Sequence, residues 1–522
     1  MTLHLIPQPV TVEVRPGVFT LTPEVVIAAQ DEAVEPAQLL AEWLGKPAGF
    51  TIPVQPAPAP GKTVIRLEID LSLGRLGREG YQLEAAPGGV ELRAPRAAGL
   101  FYAAQTLRQL FPPEIFAAQP PAGGAPAWQA PAVWIEDTPR FGWRGAMLDT
   151  SRHFMPLEFV ERFIDLLALH KMNSFHWHLT DDQGWRIEIK KHPRLTEVGA
   201  WRKETLVGHL SRDRKDLVYD GVPHGGFYTQ EGIRRVVEYA RKRHVRVMPE
   251  IEVPGHAQAA IAAYPELGCA GPLEVAAGWG VLTYNVFNLA EETFAFLADV
   301  FNEVADLFPG EFIHVGGDEV RKTAWIESAA VQARKRELGL ADESALQSYF
   351  ISRMEALLQA RGRRLVGWDE ILEGGLAPSA VVMSWRGEAG GIAAARAGHP
   401  VVMAPNTYTY FDYYQSANTA AEPLAIGGFV PLSRVYGYNP VPAELTPEQA
   451  ARILGTQFQM WSEYLPGPAA VEYMAFPRAC ALAEVAWSPQ EARDWDSFQP
   501  RLAAHLRRLD ELGVGYRKAA WE

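Results

Sequence analysis

Short apolar runs alternate with stretches of helical periodicity along the chain after residue 142. Eight of these runs have the length and the continuous apolar character of buried parallel strands: 143–148, 174–179, 245–251, 312–315, 364–366, 380–384, 400–404 and 456–461. Between them, apolar residues recur with the period of an α-helix in segments that include 157–169, 229–243, 291–307 and 344–360. This α/β alternation predicts a closed (β/α)8 TIM barrel, although a doubly wound open sheet has the same alternation.

Polar or aromatic clusters follow nearly every predicted strand, and their position favours the barrel. The clusters are Asp149 to Arg152, Asp181-Asp182, Glu250 to His256, Asp318-Glu319, Trp368 to Glu370, Trp385-Arg386, Tyr408 to Asp412 and Trp461 to Glu463. A closed barrel brings the carboxyl ends of all its strands to one face, where active sites form. The sequence therefore predicts one site built from all eight strands.

The first 139 residues have a different pattern. Segments 10–14 and 63–69 alternate apolar and polar residues, and 80–86 and 90–94 flank a Pro-Gly-Gly turn as in a β-hairpin. Helical spacing follows over 97–110, whereas 112–131 is rich in Pro, Ala and Gly, which predicts a loop or linker. We therefore expect a small α+β domain with an antiparallel sheet over 1–139, the barrel over 140–490 and a C-terminal helical segment packed on the barrel over 491–522.

Composition and charge limit the classes of partner. The 522 residues carry a formal net charge of −13 and no concentrated Lys/Arg block, which argues against nucleic acid or an anionic membrane. Cys269 and Cys480 are the only cysteines, so no disulfide framework is expected. The chain begins without a basic segment followed by a long apolar run, and we expect a cytoplasmic location. The sequence makes no prediction of the oligomeric state.

The stretch 314–319, His-Val-Gly-Gly-Asp-Glu, places two adjacent carboxyls behind an apolar run. Gly316 and Gly317 let the chain bend, so Asp318 and Glu319 need not point to opposite faces as in a flat strand. One carboxyl is then free to donate a proton while its neighbour holds a substrate. An isolated motif of this kind is more often an acidic turn, and it is the other strand ends that favour the site.

Other strand ends carry residue types that suit a sugar. The guanidinium of Arg152 matches two neighbouring hydroxyls, with a structural ion pair as the alternative. Tyr410 and Asp412 lie two residues apart on an extended segment and share a face, as do Trp461 and Glu463. Flat apolar rings cover the C–H face of a sugar, although single tryptophans are often core residues. The candidates for this role are Trp368, Trp385 and Trp461.

The series of motifs resembles the β-N-acetylhexosaminidases of glycoside hydrolase family 20 over most of the chain. In order, it includes Leu148-Asp-Thr-Ser-Arg-His153, Phe175-His-Trp-His-Leu-Thr-Asp-Asp-Gln-Gly-Trp185, Pro249-Glu-Ile-Glu-Val-Pro-Gly-His256, His314-Val-Gly-Gly-Asp-Glu319, Gly367-Trp-Asp-Glu370 and Trp461-Ser-Glu463. Gly80-Tyr-Gln-Leu and Gly99-Leu-Phe-Tyr-Ala-Ala-Gln-Thr-Leu resemble the accessory domain that precedes the barrel in that family. So long a collinear series is very specific.

The resemblance implies an exo-acting, retaining hydrolase without a cofactor. Its substrate would be an oligosaccharide or glycoconjugate that ends in β-linked N-acetylglucosamine or N-acetylgalactosamine. Glu319 would act as general acid and then base, while the substrate's own acetamido oxygen attacks C1. Asp318 would orient the acetamido group, and Tyr410 would donate to its oxygen. Since Glu319 must hold a proton near neutrality, we expect desolvation and a neighbouring charge to raise its pKa.

The resemblance also implies the substrate contacts. Arg152 would bind the 3- and 4-hydroxyls, and Asp412 and Glu463 the 4- and 6-hydroxyls. Asp181 and His256 complete the substrate-binding set by holding the surroundings of Glu319 in place, and Trp368, Trp385 and Trp461 would form the pocket wall. Where the family usually has Asp before Val-Pro-Gly-His, this chain has Glu252, which puts the hydrogen bonding near His256 in doubt.

The sequence also bears on a metal site, on a loop over the cleft and on an alternative function. His176 and His178 share a strand face near two aspartates, but no third ligand stands at a recognisable spacing, so no metal site is predicted. Segment 201–228 has no clear periodicity and is expected to form a long loop over the cleft. The alternative function is a carbohydrate-binding protein on a retired enzyme scaffold, which would have no need of a catalytic acid.

Overall fold

A computed structural model describes residues 3–57, 61–124, 126–210, 216–280 and 284–521. Its N-terminal part forms a seven-stranded sheet with strands β1 (Thr11–Thr20), β2 (Val26–Ala28), β3 (Val54–Gln55), β4 (Val64–Ile69), β5 (Tyr81–Ala86), β6 (Gly89–Ala94) and β7 (Gln129–Asp137). The strands lie in the order β1-β7-β5-β6-β4-β2-β3. The first three neighbouring pairs in this order are antiparallel and the last three are parallel.

This sheet is mixed, so the expected antiparallel sheet is wrong for half of it. The helix Val34–Ala48 connects β2 to β3 and returns the chain to the same end of the sheet, which makes the two strands parallel. The predicted hairpin is confirmed as β5 and β6. The predicted loop over 112–131 is wrong at its end, because β7 begins at Gln129. A proline is unusual within a strand, so Pro131 weakened the strand pattern of this segment in the sequence. Pro131 pairs with Val18, next to a shift of register in β1.

Eight parallel strands close a barrel, which confirms the predicted fold and excludes the open sheet. In chain order, barrel strands one to eight are Trp143–Asp149, Ser174–His178, Arg246–Glu250, Phe312–His314, Arg364–Trp368, Val381–Ser384, Val401–Met403 and Ile453–Met460. The eighth strand pairs with the first, and all eight pairings are parallel. All eight predicted strands are present.

The α-helices in the part of the chain that the structure describes surround the barrel and cover one face of the N-terminal sheet. Their bounds are Val34–Ala48, Ala97–Leu110, Leu157–Leu169, Arg194–Glu197, Gln230–Arg241, Gln258–Ala263, Glu291–Leu307, Lys322–Glu327, Ala329–Glu337, Glu343–Ala360, Ala389–Arg396, Asn406–Thr409, Leu432–Gly437, Pro447–Ala450, Pro468–Ala475, Arg478–Trp487 and Trp495–Glu511. Asp342 caps the helix that follows it by accepting from the backbone N–H of Ala345 at 2.8 Å. Among the described residues, none of these helices combines the length and the apolar character needed to cross a membrane.

The N-terminal sheet packs against the amino ends of the barrel strands. Arg144, at the start of the first barrel strand, is buried and donates to both carboxyl oxygens of Glu79 at 2.8 and 2.9 Å. Asn173, just before the second barrel strand, donates to the same carboxyl at 2.9 Å. The opposite end of the barrel, where the strand-end motifs lie, is left free for a site.

The C-terminal helix Trp495–Glu511 packs on the barrel and also on the N-terminal part. Arg501 forms a buried ion pair with Glu484 on a barrel helix at 2.6 Å, and it donates to the backbone oxygen of Leu5 at 2.9 Å. Arg508 donates to the backbone oxygen of Gln109 at 2.8 Å. The helix therefore connects the two parts, and the division of the chain at residues 139 and 490 stays a prediction.

Candidate active site

The segments that follow the barrel strands surround one cavity of about 330 Å³ at the carboxyl end of the barrel. With the exception of Asp181, every residue predicted for the site lines it: Arg152, His256, Asp318, Glu319, Trp368, Trp385, Tyr410, Asp412, Trp461 and Glu463. These residues follow seven different strands of the barrel. The second strand and the segment after it lie beneath the cavity, where His178 and Asp181 contact one another and Asp181 contacts the lining residues Arg152 and His256.

Asp318 and Glu319 reach the cavity because the chain bends sharply after the fourth barrel strand. Gly316 and Gly317 have φ angles of +67° and +92°, a conformation that glycine adopts without strain. A Cβ on Gly316 would overlap the carboxyl of Glu252, so a larger residue there would force this buried carboxyl to move. Glu319 itself has a φ of +48°, which is strained for a residue with a side chain. The bend brings both carboxyls into the same cavity.

His256 connects these two carboxyls to a buried acidic pair. Its Nε2 lies 3.5 Å from Glu319 Oε2 and 3.7 Å from Asp318 Oδ2. Its Nδ1 lies 3.1 Å from Asp181 Oδ1 and 3.3 Å from Asp182 Oδ2. Burial lowers the pKa of His256, but the charge of Asp181 and the hydrogen bonds outweigh burial and raise that pKa well above its ordinary value. His256 is therefore a cation at neutral pH.

Of the two catalytic candidates, Asp318 has the higher pKa in the free protein and is the first to bind a proton as the pH falls. Burial raises the pKa of Asp318 to about 6, against the opposing charge of His256. Burial also raises the pKa of Glu319, but the hydrogen bond and the charge of His256 outweigh burial and lower that pKa overall. The expected upward shift for Glu319 is therefore wrong for the free protein, because the sequence does not show that His256 approaches this carboxyl.

Arg152 both forms ion pairs and lines the cavity. Its Nη2 lies 2.9 Å from Asp181 Oδ2, and its Nη1 lies 3.2 Å from Asp149 Oδ2. Its Nε donates to Gln183 Oε1 at 3.0 Å, and the guanidinium lies 5.0 Å from the centre of the Trp461 ring. The sugar contact and the structural ion pair are thus compatible, since the buried acids fix the orientation of the guanidinium at the cavity wall.

Asp181, which completes the predicted substrate-binding set by holding other residues in place, does not itself line the cavity. It is 2% exposed and lies within 3.1 Å of Arg152, His178 and His256. The short strands Thr180–Asp181 and Gly184–Trp185 pair as a hairpin, which places this carboxyl below the cavity floor. Asp181 therefore holds Arg152 and His256 in position instead of contacting a ligand.

Aromatic rings form one side of the cavity. Trp368 and Trp461 have ring centres 5.8 Å apart, and Trp385 stacks on Tyr410 with centres 6.0 Å apart and an angle of 21° between the rings. The indole N–H of Trp368 donates to Glu250 Oε1 at 2.9 Å. The three tryptophans therefore stand together as a rigid wall against which the apolar face of a sugar fits.

Asp412 and Glu463 supply carboxyl groups to the same cavity. Both carboxyl oxygens of Asp412 are buried and have no hydrogen-bond partner among the described residues. Burial, together with the charge of Glu463, raises the pKa of Asp412 well above its ordinary value. Burial also raises the pKa of Glu463, although Arg152 opposes the shift. Buried acceptors without partners cost free energy, and hydroxyl groups of a bound sugar would satisfy them.

A cluster of histidines and carboxyls lies beneath the cavity. His176, Glu250 and His314 bring three potential ligand atoms within 4.8 Å of one another. The expectation that His176 lacks further ligands is thus wrong, because Glu250 and His314 come from neighbouring strands. Glu250 contacts all the histidines in this cluster, at 3.0 Å from His176, at 2.7 Å from His314 and in a short hydrogen bond to His178. The absence of a metal site stays a prediction.

Glu252 lies in this cluster against Gly316. Both of its carboxyl oxygens are buried without a hydrogen-bond partner among the described residues, and the nearer lies 4.0 Å from His178 Nδ1. Burial and then the charge of Asp318 raise the pKa of Glu252 well above its ordinary value. Both effects favour the neutral carboxylic acid form of Glu252, and the Nδ1 atom of His256 contacts Asp181 and Asp182 instead of Glu252.

Sequence reasoning missed the residues at the mouth of the cavity. These are His209, Leu210, Trp279, Gly280, Tyr413, Ile426 and Tyr464. His209 and Leu210 belong to segment 201–228, the expected loop over the cleft, of which residues 211–215 lie outside the described residues. The described part contains the short strands Trp201–Arg202, Leu206–Val207, Val218–Tyr219 and His224–Gly225. Apolar residues in loops are a signal for such a role, but they do not show which loop reaches the site.

The sequence matches the models of a known protein family and is similar to several characterised proteins. Residues 141–490 match "Glycosyl hydrolase family 20, catalytic domain", and residues 2–138 match "Glycosyl hydrolase family 20, domain 2". The chain is 44% identical over 519 residues to a beta-hexosaminidase of Porphyromonas gingivalis, a match that covers 98% of this chain and 64% of the relative. It is 33% identical over 519 residues to a beta-N-acetylhexosaminidase of Cellulomonas fimi, with 98% and 95% covered.

Solved structures give the same result. The structure is similar to the GH20 beta-N-acetylhexosaminidase from Streptomyces coelicolor, with a TM-score of 0.85 and 32% identity over 99% of this chain and 97% of the other. It is also similar to an exo beta-N-acetylglucosaminidase from Vibrio harveyi solved with N-acetylglucosamine, with a TM-score of 0.84, 34% identity and 99% and 78% covered. The chain spans 64% of the length of the Porphyromonas relative. With family matches over nearly its whole length, the chain belongs to glycosyl hydrolase family 20.

Proposed function

We propose that this glycoside hydrolase is an exo-acting, retaining β-N-acetylhexosaminidase that releases terminal β-linked N-acetylglucosamine or N-acetylgalactosamine. The observation that carries the proposal is the adjacent pair Asp318 and Glu319, which share one cavity and contact the same His256. Ordinary retaining glycosidases hold an acid and a nucleophile on opposite sides of the scissile bond. Two neighbours on one turn suit a reaction in which the substrate supplies its own nucleophile. The names of the related proteins support this activity.

The proposed reaction has two steps. Glu319 donates its proton to the glycosidic oxygen as the bond from C1 to that oxygen breaks. The carbonyl oxygen of the substrate's acetamido group bonds to C1 and forms a cyclic oxazolinium ion, while the Asp318 carboxylate accepts from the acetamido N–H and stabilises the positive charge. Tyr410 donates its hydroxyl proton in a hydrogen bond to the acetamido oxygen. Glu319 then takes a proton from the water that attacks C1. The bond between C1 and the acetamido oxygen breaks in this step, which restores the acetamido group and the original anomeric configuration.

Substrate binding has to move the proton from Asp318 to Glu319. An acetamido N–H that donates to Asp318 favours its ionised form, and a sugar that displaces water from Glu319 favours the protonated form of that residue. The pair holds one proton before and after the transfer. The shifted pKa values of the free protein are therefore compatible with catalysis, because the total charge of the pair does not change.

We expect kcat/KM for an aryl N-acetylglucosaminide to fall above about pH 6. The productive pair needs one proton, and Asp318, which holds that proton in the free protein, has a pKa of about 6. Below this pH the pair holds one proton, until the pH falls to the lowered pKa of Glu319 and the pair takes up a second. The measurement is a pH profile of kcat/KM, with recovery of activity at pH 6 as the control for stability. A profile that stays flat to about pH 8 would contradict the assignment of the proton.

The proposed exo action rests on the expected sugar contacts. Arg152, Asp412 and Glu463 line the cavity, and if they bind the 3-, 4- and 6-hydroxyls of the terminal sugar, they leave no room for a further sugar on those hydroxyls. We expect chitotetraose labelled at its reducing end to yield free N-acetylglucosamine and labelled chitotriose as the first products. Labelled chitobiose among the first products would show internal cleavage and would overturn the exo assignment.

A further inference from the structure

A second cavity, of about 420 Å³, lies beside the sugar pocket. Glu319 and Trp385 belong to the walls of both cavities. The segments after the fourth, fifth and sixth barrel strands form the second cavity. Its other charged lining residues are Arg321, Lys322, Glu370, Glu373 and Arg386.

Trp385 separates the two cavities and is held in place from both sides. Its ring stacks on Tyr410 in the sugar pocket, and its indole N–H donates to Glu370 Oε2 at 2.9 Å on the side of the second cavity. A group bound beyond Trp385 is therefore shielded from the sugar pocket but remains next to Glu319. If Glu319 protonates the glycosidic oxygen, as the proposed function requires, the second cavity is adjacent to the departing group.

Two of the three cations that line the second cavity are paired with carboxylates. Lys322 Nζ and Arg386 Nη1 share Glu373, at 2.8 and 3.3 Å, and Arg386 Nε also lies 2.6 Å from Asp369 Oδ1. Burial, followed by the charges of Asp318 and Asp369, raises the pKa of Glu370 to about 9, so that this carboxyl is neutral at pH 7.

Arg321 is the cation without a counter-ion. Its side chain is exposed at the cavity, and no hydrogen bond or ion pair joins its guanidinium to any of the residues that the structure describes. Both neighbouring cations are paired, as described above. Arg321 is therefore available to bind an anionic group, and it gives the cavity a net positive charge once Glu319 holds the proton that the proposed reaction requires.

We propose that the second cavity binds a carboxylate on the leaving group, with Arg321 as its main contact. The planar guanidinium presents two parallel N–H donors that match a carboxylate. The preferred substrates are then glycans in which the residue behind the terminal N-acetylhexosamine is an acidic sugar, with its carboxylate close to the cleaved bond. This inference rests on the proposed function, which supplies the position of the leaving group.

Two disaccharides that differ only in charge test the proposal. Both carry N-acetylglucosamine β-1,4-linked to N-acetylmuramic acid, the first with a free lactyl carboxylate and the second with that carboxylate converted to an amide. We expect the ratio of their kcat/KM values to favour the acid by about tenfold in the natural protein and to approach one in Arg321→Gln. Arg321→Glu should invert the ratio. Arg336→Gln, which removes an exposed arginine from helix Ala329–Glu337, is the matched control and should keep the natural ratio.

Hydrolysis of chitobiose separates failure of this inference from failure of the proposed function. If chitobiose is cleaved but the acid and the amide react alike, or if Arg321→Gln leaves their ratio unchanged, the anionic leaving-group site is overturned and the function stands. If none of the three disaccharides is cleaved, the proposed function fails and the inference fails with it.

Discussion

Glu319→Gln should lower kcat for chitobiose by about a hundredfold or more while sugar binding persists. The amide has nearly the same shape as the carboxylic acid, so the contact with His256 at 3.5 Å and the positive φ of residue 319 are retained. What is lost is the proton that leaves with the glycosidic oxygen and the base that activates water. Equilibrium binding of N-acetylglucosamine, measured by calorimetry, should change little.

The leaving group supplies the control for this variant. A dinitrophenyl glycoside departs without protonation, so its cleavage should suffer far less from Glu319→Gln than that of chitobiose. Glu337→Gln, an exposed carboxyl in helix Ala329–Glu337, is a matched substitution that should leave both rates unchanged. Equal losses for the two substrates would mean that Glu319 is not the general acid.

The barrel was predictable from sequence because its strands are buried on both faces. Such strands appear as short continuous apolar runs, and a polar cluster at the end of each marks the face where the site lies. The same logic placed Arg152, Asp318, Tyr410 and Glu463 around one cavity, although these residues are far apart in the chain. Topology alone brings the carboxyl ends of eight parallel strands together, so no knowledge of side-chain contacts was needed.

The N-terminal sheet was less predictable because its direction depends on connections. The helix Val34–Ala48 makes β2 and β3 parallel, and Pro131 removed the expected strand pattern from β7. Strand direction is a long-range property, whereas the alternation of apolar and polar residues is local. The local hairpin of β5 and β6 was therefore predicted correctly while the sheet around it was not.

Electrostatics in the site depend on distances that no spacing in the sequence reveals. His256 reaches Glu319 and lowers its pKa, and Asp181 turns below the floor to hold Arg152. The neutral state of Glu252 follows from burial beside Asp318, which becomes clear only when the third and fourth barrel strands are placed side by side. The residue types were enough to select candidates for the site, but their protonation states could be assigned only from the folded structure.

The participation of the substrate's acetamido group is tested most directly by comparing an aryl β-N-acetylglucosaminide with the matching aryl β-glucoside. The glucoside lacks the internal nucleophile, and in the proposed mechanism Asp318 orients the acetamido group instead of attacking C1. Because an internal nucleophile is worth many orders of magnitude in effective concentration, kcat/KM should favour the N-acetylglucosaminide by at least about a thousandfold. Failure to cleave either substrate would favour the carbohydrate-binding alternative. Equal cleavage of both would contradict substrate assistance and would make a protein carboxylate the nucleophile.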